Sequence, residues 1–291
     1  MRQSSSFSQK RRLKRVFGSL GMLVLLALII WGLSWFSHAS FMHINFVQIT
    51  GADQDIVPVL QSVAEQSLDG NYLGLFSKRN ALIYSRSSLI SALRRADPRI
   101  DMVNVSLSGF HQVSVSVTQR TPAAMVCSGF PDFDPAQAND SPDQCYFTDT
   151  AGYVYARAPK FSGQPYETYY MPELPDSVAS SSDNAVLGQY ATTTEEFTRL
   201  HELYAGAKTA GIDVRALLVN AGGEYEMYAS RPLSTTSDPI VIYFDSGSSL
   251  SKQLSNLTTF WSQSSAIPRN RHATSSLEYI DVRYGSNVFY R

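Results

Sequence analysis

A run of 21 uncharged, mostly apolar residues, 16–36, directly follows the basic cluster Lys10-Arg11-Arg12-x-Lys14-Arg15. As a helix at ~1.5 Å per residue it is about 31 Å long, enough to cross a hydrocarbon core of about 30 Å. Trp31 and Trp35 fall near its second end, where indole rings favour the membrane interface. Six Lys/Arg and no acidic residue precede Val16, and such an excess holds a flank in the cytoplasm. The expected layout is a flexible cytoplasmic tail over residues 1–15, a transmembrane helix over 16–36, and about 250 residues on the far side of the membrane. A cleaved signal peptide is the competing reading. Ser37-His38-Ala39-Ser40 has small residues suited to cleavage, but a signal core is about 7–15 residues and this run is longer.

Composition limits what the exported part does. Of 24 Lys+Arg, six lie in the tail, so 18 remain against 25 Asp+Glu, a balance of about −7. That surface does not suit nucleic acid, which calls for clustered positive charge. With 44% apolar residues there is material for one or two domains with their own cores. Cys127 and Cys145 enclose 17 residues beyond the membrane run. An oxidising exterior permits a disulfide between them, and a loop of this size gains about 3 kcal/mol in the chain-entropy view. Two unpaired thiols are the alternative. No CxxC or zinc-type spacing is present, so no cofactor or metal is expected.

Past the membrane run, residues 41–50 alternate as a strand and Gly51 closes it. Ile56, Val57, Leu60 and Val63 follow at helical spacing over 53–66, with Asp53 or Asp55 placed to cap. A looser stretch, 67–84, carries a turn signal at Gly70-Asn71. Ser87-Ser88 opens a second helix that Asp97-Pro98 stops. Strands at 100–108 and 112–118 flank a hairpin turn at Ser108-Gly109. The order is β-α-α-β-β over about 80 residues, ending at Arg120-Thr121-Pro122. Beyond it, strands are expected at 124–127, 145–148, 153–157, 216–220, 224–229 and 239–244. Helices are expected at 193–210 and 249–261, a turn at 149–152, and a strand-rich tail at 277–290. Residues 128–143 and 162–182 read as loops. The fold class is therefore α+β.

Several motifs in order give this chain a resemblance. Phe46-Val47-Gln48-Ile49-Thr50-Gly51, the helix end at Leu93-x-x-Ala96-Asp97-Pro98, and Arg120-Thr121-Pro122-Ala123 come first. Asp149-Thr150-Ala151-Gly152-Tyr153-Val154, Leu174-Pro175 and Tyr279-Ile280-Asp281-Val282-Arg283-Tyr284 follow. Together they resemble the FtsQ/DivIB family of bacterial divisome proteins, built as tail, transmembrane helix, POTRA domain and β-domain. Gln119 stands where that family has glutamate, and Gly109-Phe110 where it commonly has proline.

The resemblance implies a POTRA domain over 41–120 and a β-domain over 121–291. It implies a non-enzymatic scaffold at the division septum, anchored in the lipid bilayer of the cell membrane. Its partners would be FtsB- and FtsL-like coiled-coil proteins and, through them, the septal peptidoglycan synthase. Capture would occur by strand addition at the end of the β-domain, since an open strand edge presents unpaired N–H and C=O groups. Residues 284–290 carry no charge to block such pairing. Ile280, Val282 and Tyr284 are expected on one face and Tyr279, Asp281 and Arg283 on the other. Tyr284, Ser286, Asn287 and Val288 are the candidate partner contacts. A covered last strand is the bland alternative.

Other chemistry has less support. Asp132-Phe133-Asp134 is a D-x-D of the sort that holds a divalent ion in a membrane-anchored glycosyltransferase. It lies in a Pro/Asp-rich stretch with no phosphate-cradling glycine loop nearby. The five histidines are scattered, and His201 reads as a surface residue on its helix. Arg94, Arg95 and Arg99 cluster at a helix end, either offsetting its dipole or meeting an acidic partner or lipid head groups.

Overall fold

The computed structural model describes residues 6–131, 133, 144–161, 163–172, 174, 186–230, 239–266 and 277–291. Its architecture is mixed α+β with two compact units, Met1–Gln119 and Arg120–Arg291, each with its own core.

The first unit opens with α1 (Ser6–Ser37), 32 residues long. Helix therefore begins inside the basic segment expected to be flexible: Lys10 to Arg15 belong to it. The window Leu20–Ser37 is long and apolar enough to cross a membrane. Its leucines, Trp31 and Trp35 are exposed rather than packed in a core. A 3-10 turn at Ser40–Met42 leads to β1 (Phe46–Thr50), α2 (Val57–Leu68) and a small hairpin of β2 (Asn71–Tyr72) and β3 (Phe76–Ser77). Then come α3 (Arg86–Ala96), β4 (Ile100–Ser108) and β5 (Gln112–Gln119).

β5 lies in the middle of a three-stranded sheet, parallel to β1 and antiparallel to β4. The strict alternation of Val113, Val115 and Val117 places all three in the core against Leu60, Leu89 and Leu93. Gly109 makes the turn between β4 and β5 with φ 77°. The helix starts differ from the sequence expectation. α2 begins at Val57, where Pro58 has no N–H to lose, and no side chain caps it. The Asp53 carbonyl accepts from Ile56 and Val57 instead. α3 is capped by Ser85, whose hydroxyl accepts the Ser88 N–H at 3.2 Å; Ser87 and Ser88 are already helical.

The second unit is one twisted sheet, with nine strands among the described residues. They are β6 (Ala124–Ser128), β7 (Cys145–Thr148), β8 (Val154–Arg157), β9 (Glu167–Met171), β10 (Val214–Val219), β11 (Glu224–Ala229), β12 (Ile240–Asp245), β13 (Tyr279–Asp281) and β14 (Phe289–Tyr290). They lie in the order β14-β13-β12-β11-β10-β9-β6-β7-β8. Two helices accompany them, α4 (Thr194–Thr209) and α5 (Leu250–Ala266).

β9 is a correction: it falls inside the segment read as loop, yet it joins β6 to β10 in parallel with both. Cys127 and Cys145 are directly opposed across β6 and β7 and joined by a disulfide. α4 starts at a Thr193 cap and buries Phe197, Leu200, Leu203, Tyr204 and Ala207. Fully burying each of its large apolar side chains is worth about 1.5–3 kcal/mol. α4 and α5 meet where Gly206 leaves room for Leu254; a Cβ there would lie 2.7 Å from a Leu254 methyl.

The predicted turn at 149–152 also has a side-chain explanation. Asp149 Oδ1 accepts the N–H groups of Ala151 (2.9 Å) and Tyr153 (3.0 Å). Its other oxygen pairs with Arg120, whose guanidinium stacks 4.2 Å from the Tyr153 ring centroid. Gly152 supplies φ 81° against the Phe197 ring.

Candidate partner-binding edge

The sheet of the second unit ends on one side in β12, β13 and β14. β13 runs parallel to β12, pairing Val241 with Tyr279, Ile242 with Ile280 and Tyr243 with Asp281. The chain then turns back over residues 282–288. Gly285 takes φ 67°, the Asn287 N–H donates to the Tyr284 carbonyl at 3.1 Å, and Asn256 Nδ2 on α5 donates to the Gly285 carbonyl at 2.7 Å. β14 returns antiparallel, with Ile280 opposite Tyr290 and Asp281 opposite Phe289.

The Arg291 N–H donates to the Tyr279 carbonyl (3.3 Å) and its carbonyl accepts from Glu278 (2.6 Å). Residue 291 therefore faces β13, and by alternation the N–H and C=O of Tyr290 face away from the sheet. The opposite rim differs. There Val154 on β8 exchanges backbone bonds with Gly188 and Gln189, and Tyr153 bridges to Tyr190. Of this sheet's two rims, the β14 rim is the one with no backbone partner among the described residues.

A charged clasp holds this edge. Arg283 grips Asp281 through Nε–Oδ1 at 2.9 Å and Nη2–Oδ2 at 2.6 Å, and reaches Glu224 at 3.0 Å. Its guanidinium lies 5.2 Å from the Tyr243 ring and 5.6 Å from the Tyr284 ring. The hydrogen bonds to Asp281 push the arginine's pKa still higher, so it is a permanent cation. Burial raises the pKa of the Tyr243 phenol beside it.

Outside the clasp the rim is aromatic. Tyr284 and Phe289 meet edge to face at 5.6 Å, and Tyr290 packs 5.0 Å from Phe260 of α5. Tyr284 is 58% exposed, Phe289 50% and Tyr290 61%. The edge thus offers backbone hydrogen bonds beside an exposed aromatic surface, with an exposed Arg291–Glu278 ion pair (3.5 Å) at its end.

The four predicted contact residues lie together, but not on a strand. Tyr284, Ser286 and Asn287 are exposed in the turn between β13 and β14, and Val288 is half-buried against the core. The expected face of Ile280, Val282 and Tyr284 holds only for the first two, which are fully buried; the strand stops before Tyr284. The tail is not one open strand: β14 covers β13 and is itself the rim. Phe289 and Tyr290 were missed as rim residues. Their signal in the sequence was Gly285-Ser286-Asn287, a turn composition splitting the tail in two.

The remaining candidates separate. Asp132 and Asp134 lie outside the described residues. Between them, Phe133 packs against Tyr228 (5.2 Å) and under Arg215 (4.7 Å). Among the described residues no three His, Cys, Asp or Glu side chains gather as a metal site. His201 is exposed on α4 and hydrogen-bonds Glu167 at 2.8 Å; the same carboxylate oxygen takes the Tyr169 hydroxyl at 2.6 Å. Arg99 is occupied by Asp97 and Asp55, both at 2.8 Å, leaving Arg94 and Arg95 exposed on the last turn of α3. No family model matches the chain, and no curated protein matches it either.

Proposed function

We propose that this protein is a membrane-anchored, non-enzymatic scaffold of the FtsQ/DivIB type, acting at the division septum. In this reading α1 spans the cell membrane and the first unit is a POTRA domain. The second unit captures a partner strand along β14. The partners are small single-span coiled-coil proteins like FtsB and FtsL, which bring the peptidoglycan synthase with them. The work is spatial: a captured partner's local concentration rises by tethering, with no bond made or broken.

The observation that carries the reading is the asymmetry of the nine-stranded sheet. One rim is tied down by residues 188–190, while the other presents Tyr290 backbone groups amid exposed Tyr284 and Phe289. Behind the apolar helix, β1, α2, α3, β4 and β5 follow in the order expected, with the β2–β3 hairpin inserted between the two helices, and this order supports the same reading.

The test is affinity capture of the detergent-solubilised full chain from its native membrane, beside Tyr290→Pro and Tyr284→Glu. Proline removes an N–H that faces away from β13 and leaves the β13–β14 bonds in place. The expected result is that small coiled-coil membrane proteins come with the unaltered chain and are lost with Tyr290→Pro. Tyr284→Glu is expected to weaken capture without changing the circular dichroism. Equal capture by all three folded chains would remove the edge from the account.

A further inference from the structure

The β2–β3 hairpin is an odd structure to present to water. Leu73 and Gly74 both take positive φ, 51° and 73°, and the Leu75 N–H donates back to the Tyr72 carbonyl at 3.0 Å. This is the pattern of a type I′ turn, whose first central position favours Asn, Asp or Gly. A leucine there carries backbone strain. Its side chain is also 92% exposed, so no packing within the protein offsets that strain. Leu73 is the one non-glycine residue with positive φ among the described residues. Strain combined with an exposed apolar side chain points to a contact outside the protein.

The hydrogen bonds say where that contact lies. Ser34 Oγ donates to the Leu75 carbonyl at 2.6 Å, and the Ser77 N–H donates to Ser37 Oγ at 3.3 Å. Asn80 Nδ2 donates to the Ser37 carbonyl at 2.9 Å, and Ser37, Ser77 and Asn80 are all buried. The hairpin is thus strapped to the last turn of α1. Ser34 precedes the helix end at Ser37 by three residues, about 4.5 Å along the axis. With Leu20–Ser37 in a bilayer, Leu75 lies at the depth of Ser34, inside the apolar window.

The surroundings suit that depth. Phe36 and Phe41 stack edge to face at 5.5 Å and are exposed, as are Leu82 and Ile83 just after the strap. At the hairpin base Lys78 and Arg79 outnumber Asp69, giving the positive balance that phosphate head groups favour.

We propose that the β2–β3 hairpin dips into the outer leaflet. Leu73 and Leu75 enter the upper acyl chains beside Phe36, Phe41, Leu82 and Ile83, so that the first unit is seated on the bilayer as well as tethered to it. The occupant of this surface is lipid. The inference rests on α1 being a membrane span, and its test separates the two claims.

The sequence has two cysteines, joined to each other, so one introduced cysteine gives the full chain a single free thiol. Leu73→Cys, Leu26→Cys in mid-helix and Met102→Cys on β4 would each carry a nitrobenzoxadiazole label. Each chain would then be placed in phosphatidylcholine–phosphatidylglycerol vesicles containing lipids brominated at known depths. The expected result is blue-shifted emission at position 73 with quenching by bromines high on the acyl chains. Position 26 is quenched from mid-bilayer and position 102 remains water-like.

If position 26 is quenched while 73 stays water-like, the span stands and the hairpin proposal falls. If 73 is blue-shifted but unquenched, protein rather than lipid covers it, and the proposal also falls. If 26 is unquenched, the span reading fails and takes the proposal with it. A second chain, Leu73→Asn labelled at Leu75→Cys, relaxes the turn and keeps the hairpin folded. Because the Ser34 and Ser37 bonds set its depth, it is expected to keep the blue shift that Leu75→Cys alone gives, and water-like emission from position 75 in both chains would overturn the seating of the hairpin.

Discussion

Arg283 does more for the second unit than a surface arginine usually does. It closes a planar, two-point grip on Asp281, a carboxylate almost wholly removed from water, and covers the Tyr243 ring. Removing it leaves Asp281 without its charged partner, which costs about 2–3 kcal/mol. Arg283→Ala is accordingly expected to lower the denaturant midpoint by that much; a change below about 0.5 kcal/mol, the level of an ordinary surface substitution, would contradict the clasp. Tyr155 presents the opposite case. Its hydroxyl is buried with no partner among the described residues, and burial pushes its pKa up to about 12. Tyr155→Phe removes the unsatisfied group at constant shape and is expected to be neutral or to stabilise by about 1 kcal/mol, measured by the same titration. Asp281-Val282-Arg283 was legible in the sequence as a motif, but the i, i+2 grip behind it was not. Alternation puts Asp281 and Arg283 on one face, but β13 ends at Asp281, and it is the chain beyond the strand that brings the guanidinium back onto the carboxylate.

At the scale of elements, what the sequence disclosed depends on how many faces each element buries. β5 and β11 alternate, because one face looks into the core, and their spans were readable almost to the residue. β9, Glu-Thr-Tyr-Tyr-Met, buries Thr168, Tyr169 and Met171 and lies between two parallel neighbours. Its alternation is lost, and five residues amid Gly, Pro and Ser read as loop. The β2–β3 hairpin was invisible for a different reason: its turn has Leu where the usual signal is Asn. The candidate edge was half legible. Uncharged residues 284–290 marked the region, but the reversal at Gly285 decides that Phe289 and Tyr290 form the rim and that Tyr284 stands in the turn. Cutting the chain after Asp281 would therefore delete β14 and bare β13, an edge absent from the folded protein. A proline at Tyr290 is the cleaner perturbation.

For the molecule as a whole, two cores and one disulfide set the stability pattern. The bridge links β6 to β7 inside the second unit, and a loop of its size contributes about 3 kcal/mol. A Cys127→Ala/Cys145→Ala chain is expected to unfold its second unit at a denaturant midpoint lowered to match. Calorimetry or proteolysis of the two units would report the change, and an unshifted second unit would mean that the β6–β7 ladder holds without the bridge. The functional account is also a statement at this scale: a chain with a helix fit to cross a membrane presents an open aromatic rim on its second unit. A photoreactive residue at Phe289 in the full chain, activated in the native membrane, tests it most directly, with a second chain carrying the group at Met102 on β4 for comparison. The account predicts an adduct from Phe289 with a small single-span coiled-coil protein and none from Met102. An adduct from Met102 alone would contradict it and move the partner to the first unit.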